Sequence, residues 1–345
     1  AAYEEIEHFR KDAENHKYKL SQGIPPLLEL IGEKLRKEND IALVPQERVF
    51  VTAGANMAFL NAILAITDPG DEIILPKPFY FNHEMAVTML GCHPITVPSD
   101  NEHQLDHPAL AAAITERTRA IVTVSPNNPS GTVYPEEDLR AVTTLCREHG
   151  LFHISDEAYE YFTYDGHRHF SPGSAQNADE HVISLFSLSK AYGFASWRIG
   201  YMVTPPQLVD AVKKIQDTNL ICPPVVSQYA AIGCLQIGRA YCEEKLGAVR
   251  DIRSLVLERL AGWNNFVQAA PLLGAFYVLL KVNVDLPALD LTRHLIENHK
   301  VAVIPGSAFG LTDACYIRLA YGVLDRPTCK EALERLENGL RRLAN

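Results

Sequence analysis

The chain has 345 residues, 47% of them hydrophobic and 21% charged, with a formal net charge of −10 at pH 7. That suffices for one large domain or two unequal ones, and the acidic balance speaks against a nucleic-acid partner. No apolar run reaches the roughly 18 residues of a membrane-spanning helix, and the seven cysteines are scattered without a CxxC pair, which favours a reduced, cytoplasmic setting.

The opening "AAYEEIEHFRK" has neither a start methionine nor a signal-peptide pattern. Native residues are expected to precede it, and a targeting segment among them is left open. Further on, "ERVFVTAG" is a short β-rich run that stops at glycine. "NMAFLNAILAITDPG" follows with helical spacing and ends at Pro69-Gly70. "DEIILPKP" reads as a strand, "HEMAVTMLG" as a helix closed by Gly91, and "HPITVP" as a strand. "PEEDLRAVTTLCREHG" opens with proline and acids and closes with glycine, as a helix does. It lies between the strands "RAIVTVSP" and "LFHISD". His167 and His169 flank Arg168 in a polar stretch that reads as a solvated loop rather than a metal site, and no zinc spacing is present. The strand "HVISLFS" comes next.

This alternation argues for a three-layer αβα domain around a mainly parallel sheet. From about residue 235 the texture changes. "AYCEEKLGAVRDIRSLVLERLAGW" is a long amphipathic helix. "GAFYVLLKVNV", "VAVIPGSAFG" and "ACYIRLAYG" are expected as strands interleaved with helices. The chain therefore divides into a large domain, residues 1–245, and a smaller α/β domain, residues 246–345.

Ligands of open α/β sheets bind outside the carboxyl ends of the strands, so the strand exits matter most. At the first, Gly54 turns the chain into a helix starting at Ala55 and Asn56, whose free N–H groups suit a phosphate as well as an ordinary turn. At the second, "SPNNPSG", Asn128 is a turn residue or a donor to a ligand oxygen. At the third, Asp156 is either a helix N-cap or a buried charge in need of a cation, with Tyr159 three residues on. At the fourth, "SLFSLSKAYGFASWRIGY" carries Lys190 between Ser187, Ser189 and aromatics, with Arg198 eight residues later. A desolvated lysine is a nucleophile, and arginine suits a dianionic phosphate. "PFYFNH" adds Tyr80, an aromatic able to stack on a ring. Each signal has an ordinary structural explanation. Together they describe a ligand with a phosphate, a basic ring nitrogen, a ring oxygen and a carbonyl that takes a lysine, which is pyridoxal 5′-phosphate.

From about Tyr18 to the C-terminus the sequence resembles the class I/II aminotransferases, fold-type I pyridoxal-phosphate enzymes. The resemblance rests on "YKLSQGIPPLLELI", "TAGANMAF", "DPGDEIILPKPFY", "NNPSG", "SDEAY", "SLSKAYGFASWRIGY", "PGSAFG" and "YIRLAYG", in that order. It implies that Lys190 joins the cofactor aldehyde and that Asp156 partners the ring nitrogen. Asn128 and Tyr159 would bind the ring oxygen. Ser187, Arg198 and the backbone of Gly54, Ala55 and Asn56 would bind the phosphate. Tyr80 would stack on the ring, and Arg318 would grip the substrate α-carboxylate with help from Asn128. Tyr18 would reach the phosphate in a neighbouring subunit's site, which implies a homodimer. The resemblance also implies amino-group transfer between an L-amino acid and a 2-oxo acid, with ping-pong kinetics.

The donor is expected to be aromatic or methionine-like. Some aspartate-using relatives place a lysine where Asn56 stands, and "GANMAFLNAILAITDPGD" and "PFYFNHEMA" resemble the aromatic branch. The family's segment that closes over the substrate side chain is not seen ahead of Tyr18. Alternatives are an aspartate aminotransferase, a lyase or aminocyclopropane-carboxylate-synthase-like enzyme using the same residues, and, less readily, a ligand-sensing regulator domain.

Overall fold

Short apolar, β-branched runs build the large sheet of the protein, seen here in a computed structural model that describes residues 1–42 and 46–343. The expected end of the small domain, residue 345, lies outside the described residues. In chain order the elements are α1 (Ala2–Lys11), α2 (Pro25–Glu38), β1 (Val49–Thr52), α3 (Ala55–Ile66), β2 (Glu72–Pro76), α4 (Phe81–Met89) and β3 (His93–Val97). Then come α5 (His107–Ala112), β4 (Thr118–Val124), α6 (Glu136–Glu148), β5 (Phe152–Asp156), β6 (Val182–Ser187), β7 (Gly200–Val203), α7 (Val209–Asn219) and α8 (Val225–Ile237). The last part holds α9 (Arg239–Leu260), β8 (Val267–Ala269), β9 (Tyr277–Val282), α10 (Ala288–His299), β10 (Ile304–Pro305), β11 (Tyr316–Ala320) and α11 (Arg326–Leu343).

The large sheet has the order β1-β7-β6-β5-β4-β2-β3. β7 pairs antiparallel with both of its neighbours, so it alone runs against the other six strands. Its central strands are buried on both faces, as covered parallel strands are. Alternate residues serve opposite faces. Phe50, Ile73 and Ile154 pack with Phe59 and Ile63 of α3, Val87 of α4 and Val212 of α7. Val49 and Val51 face Leu27, Ile31 and Leu35 of α2 and Ala231 of α8. Ile74 and Ile121 meet Leu139 and Val142 of α6. The result is the expected αβα stack.

The second sheet, β10-β11-β9-β8, is antiparallel throughout. Leu291 and Leu295 of α10 and Leu333 and Leu336 of α11 share a core with Val278, Leu280 and Ile317 of that sheet. α9 serves both cores: Cys242 and Leu246 pack with the large sheet's cluster, and Ile252, Leu255 and Val256 with the small one.

Two expectations change, and two elements were not foreseen. "VAVIPGSAFG" is not a strand beyond Ile304–Pro305; Gly306–Phe309 forms a 3₁₀ turn. A side chain at Gly306 would run into Tyr316 on the neighbouring strand, so the stretch folds tightly over β11 instead of extending. β7 was hidden inside the lysine–arginine motif. His169 is not solvated, because its Nε2 lies 2.8 Å from Oε2 of the buried Glu157. Helix α8 escapes a search for amphipathic spacing because it is buried on most sides.

Candidate active site

All the parallel strands of the large sheet point their carboxyl ends to one edge, and the chemistry-bearing exits meet there. After β1, Gly54 takes φ 83° and leads into α3. The helix has no side-chain cap, so its first N–H groups remain free. The Arg198 guanidinium closes this corner. A Cβ on Gly54 would lie 2.5 Å from its Nη2. Arg198 itself holds φ 50°, the left-handed region, and Nη1 and Nη2 donate to the carbonyls of Ala195 at 2.9 Å and Ala53 at 3.3 Å. Ser187 accepts the Ser189 N–H at 3.1 Å, which leaves its own proton to donate. Free helix N–H groups, a guanidinium and a hydroxyl thus gather at one end of the cavity.

Asp156 ends β5 and is buried. No helix follows, so it is not an N-cap. Its Oδ1 accepts the Ala158 N–H at 3.1 Å, and Nε2 of His83 lies 3.1 Å from Oδ2. Sequence reasoning missed His83. It sits three positions after Tyr80 in α4, stacked at 4.0 Å on Phe59 and edge-on at 5.2 Å to Tyr80. That spacing from an aromatic already singled out was the available signal.

Lys190 follows β6 and is half-buried. Burial is the main cause that lowers its ammonium below the usual lysine range; Arg198 and Arg318 push the same way, and Asp156 opposes them. Its Nζ stands 5.8 Å from the Tyr159 ring centre. Tyr159 lies in the turn after β5 rather than on a helix.

Arg318, from β11, brings in the second sheet. Its Nη1 donates to Asn128 Oδ1 at 2.8 Å, and Asn128 Nδ2 reaches the Tyr159 hydroxyl at 3.3 Å. The guanidinium lies 4.5 Å above the ring of Tyr277 and 5.1 Å from that of Phe309. Nε of Arg318 is buried without a partner. Tyr277, also missed in the sequence, places its hydroxyl 3.0 Å from that of Tyr159.

One cavity, partly open to solvent, is lined by Ala55, Asn56, Tyr80, Asn128, Asp156 and Tyr159. Ser187, Ser189, Lys190 and Arg198 complete its polar wall, and Val124, Ala158 and Ala195 add apolar surface. Arg318 borders it through Asn128, and Gly54 through Arg198. Tyr18 lines no part of it within one chain and is 78% exposed.

The family model for aminotransferase class I and II matches residues 1–336. The chain belongs to that family. Among relatives of this aminotransferase, the aspartate aminotransferase of Pyrococcus abyssi is 34% identical over 324 residues, covering 92% of this chain and 82% of that one. An aromatic aminotransferase of Arabidopsis thaliana is 33% identical over 338 residues, covering 94% and 82%. The structure of the Thermus thermophilus aspartate aminotransferase with maleate aligns with a TM-score of 0.88 at 33% identity, covering 98% of this chain and 87% of that one. The enzyme is a pyridoxal-phosphate-dependent transaminase. Its residues fit the cofactor on their own terms. A glycine stands where any side chain would strike Arg198, and a buried carboxylate, Asp156, and an amine, Lys190, line the same cavity. Among the described residues no helix is long and apolar enough to cross a membrane, and no side-chain cluster is placed to hold a metal ion.

Proposed function

We propose that this aminotransferase takes an aromatic or methionine-like L-amino acid as donor and passes the amino group to a 2-oxo acid. One observation carries the donor class. Among the described residues the cavity's cations are Lys190 and Arg198, with Arg318 at its edge. Each has a task, and Asn56 offers no charge to a second carboxylate. The named activity of the Pyrococcus relative supports aspartate as a second reading.

Pyridoxal 5′-phosphate supplies, when bound, an aldehyde for an amine and a ring that takes up the electron pair left when a Cα–H bond breaks. Lys190 holds the aldehyde carbon. Freed by an incoming amine, its Nζ would be the base placed to take the proton from the substrate Cα and, once protonated, the acid that returns one. Asp156 keeps a proton on the ring nitrogen, and His83 and the Ala158 N–H hold the carboxylate in place. Arg318 grips the substrate α-carboxylate, and its unpartnered Nε gains the bond it lacks. Asn128 and Tyr159 face the ring oxygen, and Tyr80 covers the ring. Ser187, Arg198 and the N–H groups of Ala55 and Asn56 would hold the phosphate; the Gly54 N–H, expected to join them, is turned to the Thr52 carbonyl at 2.8 Å.

The working unit of this reading is a cytoplasmic homodimer in which Tyr18 completes the neighbouring phosphate site; its exposure supports that role. The change of core along α9, between Leu246 and Ile252, supports a division near the expected 1–245 and 246–345. A half-reaction screen of the loaded enzyme tests the donor. Aromatic amino acids and methionine are expected to bleach the visible absorbance faster than aspartate. Faster bleaching by aspartate would favour the second reading.

A further inference from the structure

Tyr159 and Tyr277 face each other with their hydroxyls 3.0 Å apart. Tyr159 follows β5 of the large sheet and Tyr277 opens β9 of the small one, so this contact joins the two sheets at the cavity. The surrounding donors can be assigned. Arg318 has only donors, so its 2.8 Å contact ends on Asn128 Oδ1. That turns Asn128 Nδ2 toward Tyr159, whose oxygen accepts at 3.3 Å. Tyr159 has one proton left to give. Burial raises both phenols above their ordinary range, so each keeps its proton at neutral pH. An anionic ring oxygen in the cavity is a stronger acceptor than a neutral phenol, and the Tyr159 proton turns to it. The remaining hydrogen bond of the pair then has one possible direction, from Tyr277 to Tyr159.

We infer that Tyr277 is a positioning residue whose hydroxyl donates to Tyr159 and so polarises the Tyr159 O–H toward the cofactor's ring oxygen. The inference rests on the roles proposed above for Tyr159 and Lys190. Tyr80, Asp156, Lys190 and Arg318 are the other ionisable groups around Tyr159; Arg318 lies over Tyr277, and Arg198 also acts on Lys190.

The consequence is spectroscopic. A protonated link between Lys190 and the cofactor shares its proton with the ring oxygen. Loss of that proton leaves the oxygen's charge to Tyr159. A weaker Tyr159 donor therefore raises the pH midpoint of the link.

The test is a pH titration of visible absorbance in the cofactor-loaded enzyme. Tyr277→Phe keeps the ring beneath Arg318 and removes only the hydroxyl. Its midpoint is expected to rise by roughly half a unit, and that of Tyr159→Phe by more. In the Tyr159→Phe background, Tyr277→Phe adds no shift. The amino-acid KM of Tyr277→Phe stays within about twofold, because Arg318 keeps its support. An unmoved midpoint, shifts that add, or a raised KM without a midpoint shift would overturn the inference. Failure of the underlying reading looks different: the wild-type enzyme shows no titrating band, or the band survives Lys190→Ala. The inference then falls with it.

Discussion

Nε2 of His83 stands 3.1 Å from Oδ2 of Asp156, and both side chains are buried. His83 lies against one oxygen of this carboxylate and the Ala158 N–H donates to the other, so its orientation is fixed from two sides. Asp156→Ala should slow Cα proton abstraction on the order of 10²–10³-fold and change cofactor affinity far less. Rapid-mixing half-reactions check this. Unchanged proton-abstraction rates would remove Asp156 from its role.

His83→Leu tests the support itself. Asp156 loses a partner while the Phe59 stack keeps an apolar neighbour. A fall in kcat of roughly tenfold is expected, with the fold retained by circular dichroism. A variant with wild-type kcat would show that Asp156 needs no help from α4.

Arg318 is a cation that the small sheet brings to the cavity edge, held by Asn128 and by stacking on Tyr277. Arg318→Leu should raise KM about 10²-fold for every amino acid tested, without loss of the visible absorbance. A KM that rises for acidic donors alone would reassign Arg318 to the side chain.

Gly54 has no room for a side chain. Gly54→Ala would put a methyl against the Arg198 guanidinium on a backbone at φ 83°. A stability loss of about 1–3 kcal/mol and a weaker hold on the cofactor are expected, read by urea unfolding and by cofactor titration. Arg198→Gln should weaken the cofactor without the stability loss.

Lys190 links the site to pH. Its folded pKa is lowered, chiefly by burial, below the ordinary value of 10.5. The unfolded chain therefore binds the proton more tightly, and Lys190 destabilises the cofactor-free fold below its folded pKa. That cost fades as pH rises toward the unfolded pKa. Lys190→Met should stabilise the cofactor-free protein at pH 7, with a smaller gain at pH 10. A gain that grows with pH would reverse the sign.

The strand exits were legible in the sequence because each polar residue ended an apolar run: Thr52, Asp156 and Ser187 end strands as read. Strand ends on one sheet edge are neighbours by topology, which is why scattered residues could be read as one site. His83 and Tyr277 were not legible. His83 lies within a helix, where the facing side chain depends on how α4 packs on α3. Tyr277 opens a strand of the second sheet, whose approach to the first is set by long-range contacts such as the Gly274 N–H to the Gly131 carbonyl at 2.7 Å. The reversed β7 and the tight turn at Gly306 likewise depend on neighbours distant in sequence.

The central claim is that one cofactor is held at one amine amid these converging side chains. Borohydride reduction of the loaded enzyme, followed by peptide mapping by mass spectrometry, tests it most directly. The reduced cofactor's mass is expected on Lys190 alone. Its recovery on any other lysine, or on none, would contradict the account.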